Sequence, residues 1–307
     1  MKTNELQKKL DELKKLAAES GIPLDNEIVR MEEIIKSGSK TEKVWRTVEL
    51  ARHQDRPYAE DYIKRIFDGF IELHGDRTFG DDPAILGGLA FLEGRPVTII
   101  ASQKGRTLRE NMQRNHGMAN PEGYRKALRL ALQAEKFHRP IITFVDTAGA
   151  YPGLGAEERG IGQAIACNLK EFSRLQTPII SIIIGEGGSG GALGISVGDR
   201  VYMLKNAIYS VISPEGCASL LLRDSNKAKE AAAMLRLTSE DIFNFGFING
   251  IIEEPENGAQ TDPDAVAASI KKILLRDLEY LCRRRGQVLA RYRGQKIRKF
   301  GQWNEQF

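Results

Sequence analysis

The chain has 307 residues, 41% hydrophobic and 28% charged, with a formal net charge of +4, a composition that suits one large globular domain with an appendage or two modest ones. No apolar stretch approaches the ~20 residues needed to span a bilayer, and the start, Met1-Lys-Thr-Asn-Glu-Leu6, lacks the apolar segment of an export signal, so a cytoplasmic location is expected. Cys167, Cys217 and Cys282 form neither a zinc-type pair nor a disulfide framework, and His53, His74, His116 and His138 are scattered, so no metal site is expected on this chain.

In chain order, Leu6, Leu10, Leu13 and Ala17 recur at helical spacing until Gly21 and Pro23. A second helix starts near Asp25 and buries Ile28, Met31 and Ile35, forming a helical hairpin suited to docking a subunit or to packing on the chain's own core. Gly38 and Ser39 predict a break. Helical patterns resume at Glu42–His53 and, after Pro57, at Tyr58–Leu73, where Tyr62, Ile66, Phe67 and Phe70 share a face. From Ala84 the pattern becomes that of strands, with two apolar runs flanking Glu93-Gly94-Arg95 as a hairpin. There follow a helix at Pro121–Phe137, a strand at Ile141–Val145, a helix at about Ala156–Arg174 and a strand at Ile179–Ile184. Strands are then expected at Val201–Leu204, Ile208–Val211 and near Ile251, and helices at Pro214–Leu222, Lys227–Leu235 and Thr238–Phe243. Repeated βα units with continuous apolar strands predict an α/β fold with a buried, mostly parallel sheet. Between Lys271 and Phe300 eleven Lys or Arg face two acids, Asp277 and Glu279. A solvated, partly helical tail is expected there, or a surface for a polyanion, an acidic partner or the phosphates of a nucleotide-like molecule.

Two glycine-rich segments carry the chemistry. Gly185-Glu-Gly-Gly-Ser-Gly-Gly-Ala-Leu-Gly194 follows the apolar run Pro178–Ile184 and opens a helix, so its N–H groups converge at a strand end where they can hold an anion or a developing oxyanion. Asp146-Thr-Ala-Gly-Ala-Tyr-Pro-Gly-Leu-Gly155 follows the strand before it, with Glu157 and Glu158 as expected helix-dipole partners. Both segments fall at carboxyl ends of strands, where open α/β sheets bind ligands, so a shared pocket is expected, with Tyr151 and Pro152 as an apolar wall. The Gly185-x-Gly187-x-x-Gly190 spacing imitates a dinucleotide fingerprint, yet no ribose-binding acid ends the next strand. Asp146-Thr-Ala-Gly149 imitates a GTPase segment, but no phosphate-cradling loop precedes it.

The sequence resembles the carboxyltransferase α-subunit family of bacterial acetyl-CoA carboxylase. The resemblance rests on Arg56-Pro57-Tyr58, His74-Gly75-Asp76-Arg77, Gln103-Lys104-Gly105-Arg106, Pro121–Arg129, Asp146–Arg159, Gly185–Ala192 and Ser213–Ser219, in family order through residues 52 to 254. One departure is Ala148, where the family usually has proline. The resemblance implies a crotonase-like β-β-α superhelix at residues 51–260, preceded by a helical segment (1–50) for packing or docking and followed by a C-terminal helix and basic tail (261–307). It also implies an enzyme that transfers CO2 from carboxybiotin, borne on a separate carrier protein, to acetyl-CoA, giving malonyl-CoA in the first committed step of fatty acid synthesis. Implied partners are a zinc-ribbon β subunit, the biotin carboxyl carrier protein and biotin carboxylase, in an α2β2 core. By carry-over, Gly190 and Gly191 form a backbone oxyanion hole, Gly187 and Gly188 shape the turn, and Gly149, Ala150, Tyr151, Pro152 and Gly153 line the biotin or acyl pocket. The biotin nitrogen itself can take the methyl proton, in keeping with a sequence where no His, Cys or carboxylate constellation stands out. A self-sufficient acyl-CoA hydratase or hydrolase would need a positioned acid or base beside the oxyanion hole. A nucleic-acid-binding protein would use the basic tail, which lacks interleaved stacking aromatics and leaves the glycine turns without a role.

Overall fold

The computed structural model of the chain describes residues 7–12, 14–15 and 25–301. The described residues fall into two compact units, one formed by those up to 47 with 214–236 and the other by 48–213 with 237–301. The second holds an eight-stranded sheet: β1 (Asp68–Glu72), β2 (Ile85–Leu92), β3 (Arg95–Ser102), β4 (Ile141–Thr147), β5 (Ile179–Gly188), β6 (Arg200–Leu204), β7 (Ile208–Ser210) and β8 (Gly250–Ile252). Their order is β1-β2-β3-β4-β5-β6-β8, and β7 pairs the far end of β5. β1, β2 and β3 pair antiparallel, and every other pairing is parallel. Glu93 and Gly94 both have positive φ (48° and 73°), the two-residue turn that matches strand twist in a tight hairpin. β4 is buried at all seven positions and β5 at its first seven, as continuous apolar runs require when both faces are covered.

One cover is the helix Pro121–Lys136, which packs on β2 and β3 through Ala127, Leu130, Ala131 and Ala134. Ile161–Arg174 packs on that helix and on Ser189–Ser196. The helix Ala59–Ile66 buries Ala59, Tyr62, Ile63 and Ile66 at helical spacing, and Tyr62 stacks on Phe144 of β4 with ring centroids 6.2 Å apart. Pro263–Leu281 packs on that helix and on β8. In the first unit, Lys229 on the helix Ala228–Leu235 pairs with Glu42 at 3.3 Å and lies over the Trp45 ring.

Several sequence expectations are corrected. The helix Asp25–Ala51 passes through Gly38 and Ser39 without a break, since an open mid-helix glycine costs only about 1 kcal/mol. Tyr58–Leu73 is not one helix: Phe67 turns extended, and Gly69, at φ 60°, sits in the bulge that opens β1. Gly160, at φ 79°, splits the segment expected at Ala156–Arg174 into Leu154–Glu158 and Ile161–Arg174. Pro214–Cys217 is α-helical and continues as a π turn over Ala218–Leu222. Leu6, Leu13 and Ala17 lie outside the described residues, as do the side chains of Met31 and Ile35, whereas Leu10 is buried and Ile28 half-buried.

The basic tail is not uniformly solvated. It folds as the helix Gly286–Arg298, and Arg293 is 1% exposed. Its guanidinium donates to the carbonyls of Phe172, Leu175 and Thr177 at 2.6, 2.8 and 3.0 Å and makes two hydrogen bonds to Asp199, at 2.8 and 3.1 Å. Asp199 in turn accepts the Ile179 amide at the start of β5. Removing one partner of such a buried pair leaves a bare charge, so Arg293→Met should cost about 3 to 5 kcal/mol. Urea unfolding checks this: a midpoint unchanged from wild type contradicts the clamp.

Candidate functional site

The strand β5 runs four residues beyond the expected Ile184, to Gly188, and the helix Ser189–Ser196 begins at once. The extension is held in the sheet because Gly187 pairs with Thr147 of β4 on one side and Tyr209 of β7 on the other. The two glycine turns thereby meet backbone to backbone. A Cβ on Gly188 would overlap the Ala148 carbonyl, and one on Gly191 would overlap the Gly149 carbonyl carbon and the Ala150 nitrogen. Gly190 differs, because a Cβ there would meet only Ile165, at 3.9 Å. Ser189 has φ 54°, a left-handed conformation that a side chain adopts at a cost of order 1 to 3 kcal/mol. The first amides of the helix, those of Gly190 and Gly191 among them, have no acceptor within it and carry its positive end. Such donors can hold an anionic oxygen.

A buried charge cluster locks this arrangement from behind. Asp146, at the end of β4 and 2% exposed, accepts the Glu186 amide at 2.9 Å and the Lys104 ammonium at 2.7 Å through the same Oδ1. Lys104 also donates to Glu186 Oε2 at 3.1 Å, and Arg52 Nε donates to Glu186 Oε1 at 2.7 Å. The Asp146 amide donates to Ser102 Oγ at 2.5 Å. Burial alone would neutralise Lys104, but the Asp146 and Glu186 carboxylates hold it charged, above the ordinary lysine range. Burial likewise favours a neutral Glu186, and Lys104 and Arg52 outweigh it, holding the carboxyl below the usual range. No carboxylate constellation stands out in the sequence, and the fold assembles this one from distant positions. Asp146, Glu186, Lys104 and Arg52 come together from positions up to 134 residues apart, each engaged in an ion pair.

The second turn is fixed by its own contacts. Thr147 Oγ1 accepts the Gly149 amide at 3.1 Å and donates to the Gly149 carbonyl at 2.7 Å, and the Tyr151 amide donates to the Ala119 carbonyl. Gly153 lies against the Tyr151 ring, Ala150 and Tyr151 are half-buried against the core, and Pro152 is exposed. Glu122, 3% exposed, accepts from both Arg125 and Arg159 at 2.8 Å. Arg125 is anchored by Asp76, which also accepts the amides of Thr78, Phe79 and Gly80. Burial would raise the Asp76 carboxyl, yet these donors hold it at about 2. Glu157 and Glu158 are exposed, and Glu157 lies in the first turn of the five-residue helix Leu154–Glu158, where a carboxylate suits the helix dipole.

The structure thus brings the nine residues named at the sequence level, Gly149 to Gly153 and Gly187, Gly188, Gly190 and Gly191, to neighbouring strand ends. Lys104 and Glu186 carry roles the sequence reading missed. The signals in the sequence are the lone carboxylate of Glu186 within a glycine-rich run and the place of Lys104 in the segment Gln103-Lys104-Gly105-Arg106. Arg56 is a further case: buried, it donates to the Ile184 carbonyl at 2.7 Å and forms an ion pair with Glu254. No helix among the described residues is long and apolar enough to cross a membrane, and no metal-holding cluster occurs among them.

Residues 1–301 match the family described as acetyl co-enzyme A carboxylase carboxyltransferase-like. The chain is similar to the acetyl-coenzyme A carboxylase carboxyl transferase subunit alpha of Treponema denticola, 63% identical over 296 residues and covering 96% of this chain and 97% of the relative. The subunit of the same description from Staphylococcus epidermidis is 51% identical over 303 residues, covering 97% and 96%. Among solved structures, transcarboxylase 12S with methylmalonyl-coenzyme A bound aligns at TM-score 0.61 and 21% identity, over 74% of this chain and 42% of that one, so this chain spans less than half of it. The β subunit of P. aeruginosa geranyl-CoA carboxylase aligns at TM-score 0.57 and 16% identity, over 76% and 43%. These structures share the crotonase-like carboxyltransferase fold.

Two consequences are measurable. Gly188→Ala should lower the thermal unfolding midpoint clearly while Gly190→Ala leaves it near wild type; equal midpoints would mean the turns do not touch as described. Asp76 has a folded pKa below its unfolded value near 3.9, so its stabilisation is full above about pH 4 and is lost as pH falls toward 2. Asp76→Asn should therefore weaken the protein at pH 7 and flatten the acid decline of chemical-denaturation midpoints between those pH values.

Proposed function

The chain belongs to the acetyl co-enzyme A carboxylase carboxyltransferase family, and from that membership we propose that the paired glycine turns are this subunit's share of the carboxyl-transfer site. As an α subunit of that enzyme it works with a partner subunit in converting acetyl-CoA to malonyl-CoA for fatty acid synthesis. The observation that carries the site assignment is the Gly188–Gly191 turn, seated on the backbone of Ala148–Ala150 and presenting the free amides of a helix start at the strand ends.

The chemistry asks for stabilised negative charge on two oxygens, the enolate oxygen of the thioester and the ureido oxygen of biotin. One amide pair on a positive helix end suits one such oxygen, so the residues present fit a biotin-dependent reaction. Carboxybiotin, borne on a separate carrier protein, supplies the carboxyl group when bound. The Gly190 and Gly191 N–H groups hold the oxygen that gains charge, and Gly187 and Gly188 keep the turn in register. Gly149, Ala150, Tyr151, Pro152 and Gly153 form the adjoining wall. Asp146, Lys104 and Glu186 act as positioning residues, since their charges are spent on each other and on the Glu186 amide. A committed carboxylate of this kind is a poor general base, which speaks against a self-sufficient hydratase.

The second donor pair then belongs to the partner, a β subunit with a zinc ribbon, in an α2β2 core served by biotin carboxylase and the biotin carboxyl carrier protein in the cytoplasm. Residues 51–260 are the catalytic domain in this reading, with 1–50 for docking and 261–307 as a C-terminal extension. Malonyl-CoA-dependent carboxylation of free biocytin, run with this chain alone and with the partner, tests the assignment. Activity is expected only in the pair. Within the pair, Gly191→Ala should lower turnover roughly 100- to 1000-fold, as displacement of an oxyanion donor does, and Gly190→Ala should stay within a few-fold. An assembled Gly191→Ala complex with wild-type turnover would sink the assignment.

A further inference from the structure

Remote from the glycine turns, a cavity of about 800 Å³ opens between the segment Phe245–Asn249, the end of the helix Pro263–Leu281 and the helix Gly286–Arg298. Its charge is one-sided. Arg200, Arg284, Lys296 and Lys299 line it, and its one lining carboxylate, Asp199, is already spent on Arg293. The Lys296 ammonium donates at 2.8 Å to Asn249 Oδ1, a neutral acceptor. Aromatic rings share the rest of the wall with Leu281, Leu289, Asn249 and Gln295. Tyr280 stands under two guanidinium groups, those of Arg284 at 4.6 Å and Arg200 at 5.7 Å, while 49% of its surface stays exposed. Phe300 packs edge-on against Phe247 at 4.9 Å, and Tyr292 is 59% exposed.

From this geometry we infer that the cavity is a binding site for a small nucleotide-like ligand, with phosphate groups held by Arg200, Lys296 and Lys299 and a planar base laid against Tyr280 and Tyr292. Converging cations with no free carboxylate among the lining residues select an anion, guanidinium forks suit phosphate oxygens, and exposed aromatic faces beside them suit a flat ring. The volume lies within the range of small-molecule sites. The site is separate from the carboxyl-transfer chemistry and does not rest on it. Lys296 bears the mark of the same field: burial first, then Arg200 and Arg293, push its ammonium down to about 8, with Asp199 opposing. A bound phosphate raises it again, so binding near pH 8 takes up a proton and weakens as pH rises toward 9.

Calorimetric titration of the chain in complex with its partner subunit, using ADP, adenosine and inorganic pyrophosphate as probes, tests this. ADP should bind at least about tenfold more tightly than either fragment, in line with one charge-assisted contact set plus stacking. Arg200→Gln and Lys296→Gln, with unfolding midpoints near wild type, should each weaken ADP at least fivefold, and Lys296→Arg should bind ADP with no loss between pH 7 and 9. Absence of saturable ADP binding, an affinity indifferent to both glutamine variants, or ADP silence with strongly salt-dependent binding of a single-stranded RNA would each overturn the inference.

Discussion

The structure depends on one close approach: the carboxyl ends of β4 and β5 touch through bare backbone. Gly188 and Gly191 sit where any Cβ would overlap Ala148, Gly149 or Ala150. Because the two turns share that contact, neither can move alone, and the amides at the start of the helix Ser189–Ser196 are held rigidly relative to the wall formed by Tyr151 and Gly153. Rigid donors are what a site for developing charge needs, since reorganisation during reaction would consume the advantage.

The charged cluster behind the turns explains how so glycine-rich a segment stays ordered. Glycine gives up more conformational freedom on folding than any other residue, so the turn has to be fixed by something other than its own side chains. Asp146 does so by binding the Glu186 amide while Lys104 bridges both carboxylates. Breaking any one of these leaves a buried charge uncompensated, which makes the group cooperative. It also removes Asp146 and Glu186 from the roster of acids and bases. The donors left unpaired by the helix at these strand ends are backbone amides.

A similar logic appears at the other end of β5. Arg293 and Asp199 tie the C-terminal helix to the first residues of that strand. The strand carrying the glycine turn is therefore pinned by buried ion pairs at both ends, one set toward the chemistry and one set beside the basic, aromatic cavity. The cations at that cavity are surplus to the pinning, which uses Arg293 alone.

Much of this was determined by the sequence itself. Continuous apolar runs at Ile141–Val145 and Ile179–Ile184 specify buried parallel strands, the Glu93-Gly94 pair specifies a hairpin, and the glycine segments, with the motifs around them, specify the family. Local pattern failed where a residue's role depends on a distant partner. Tyr62, Ile66, Phe67 and Phe70 do recur at helical spacing, but pairing of Asp68–Glu72 with β2 overrides it. Gly38 has the composition of a break, yet the helix Asp25–Ala51 absorbs one glycine with open space around it. Lys104, Asp146 and Glu186 lie 42 and 40 residues apart in turn, and Arg293 meets Asp199 across 94. No periodicity or motif spacing encodes such pairs, because the parallel sheet alone decides which strand ends become neighbours.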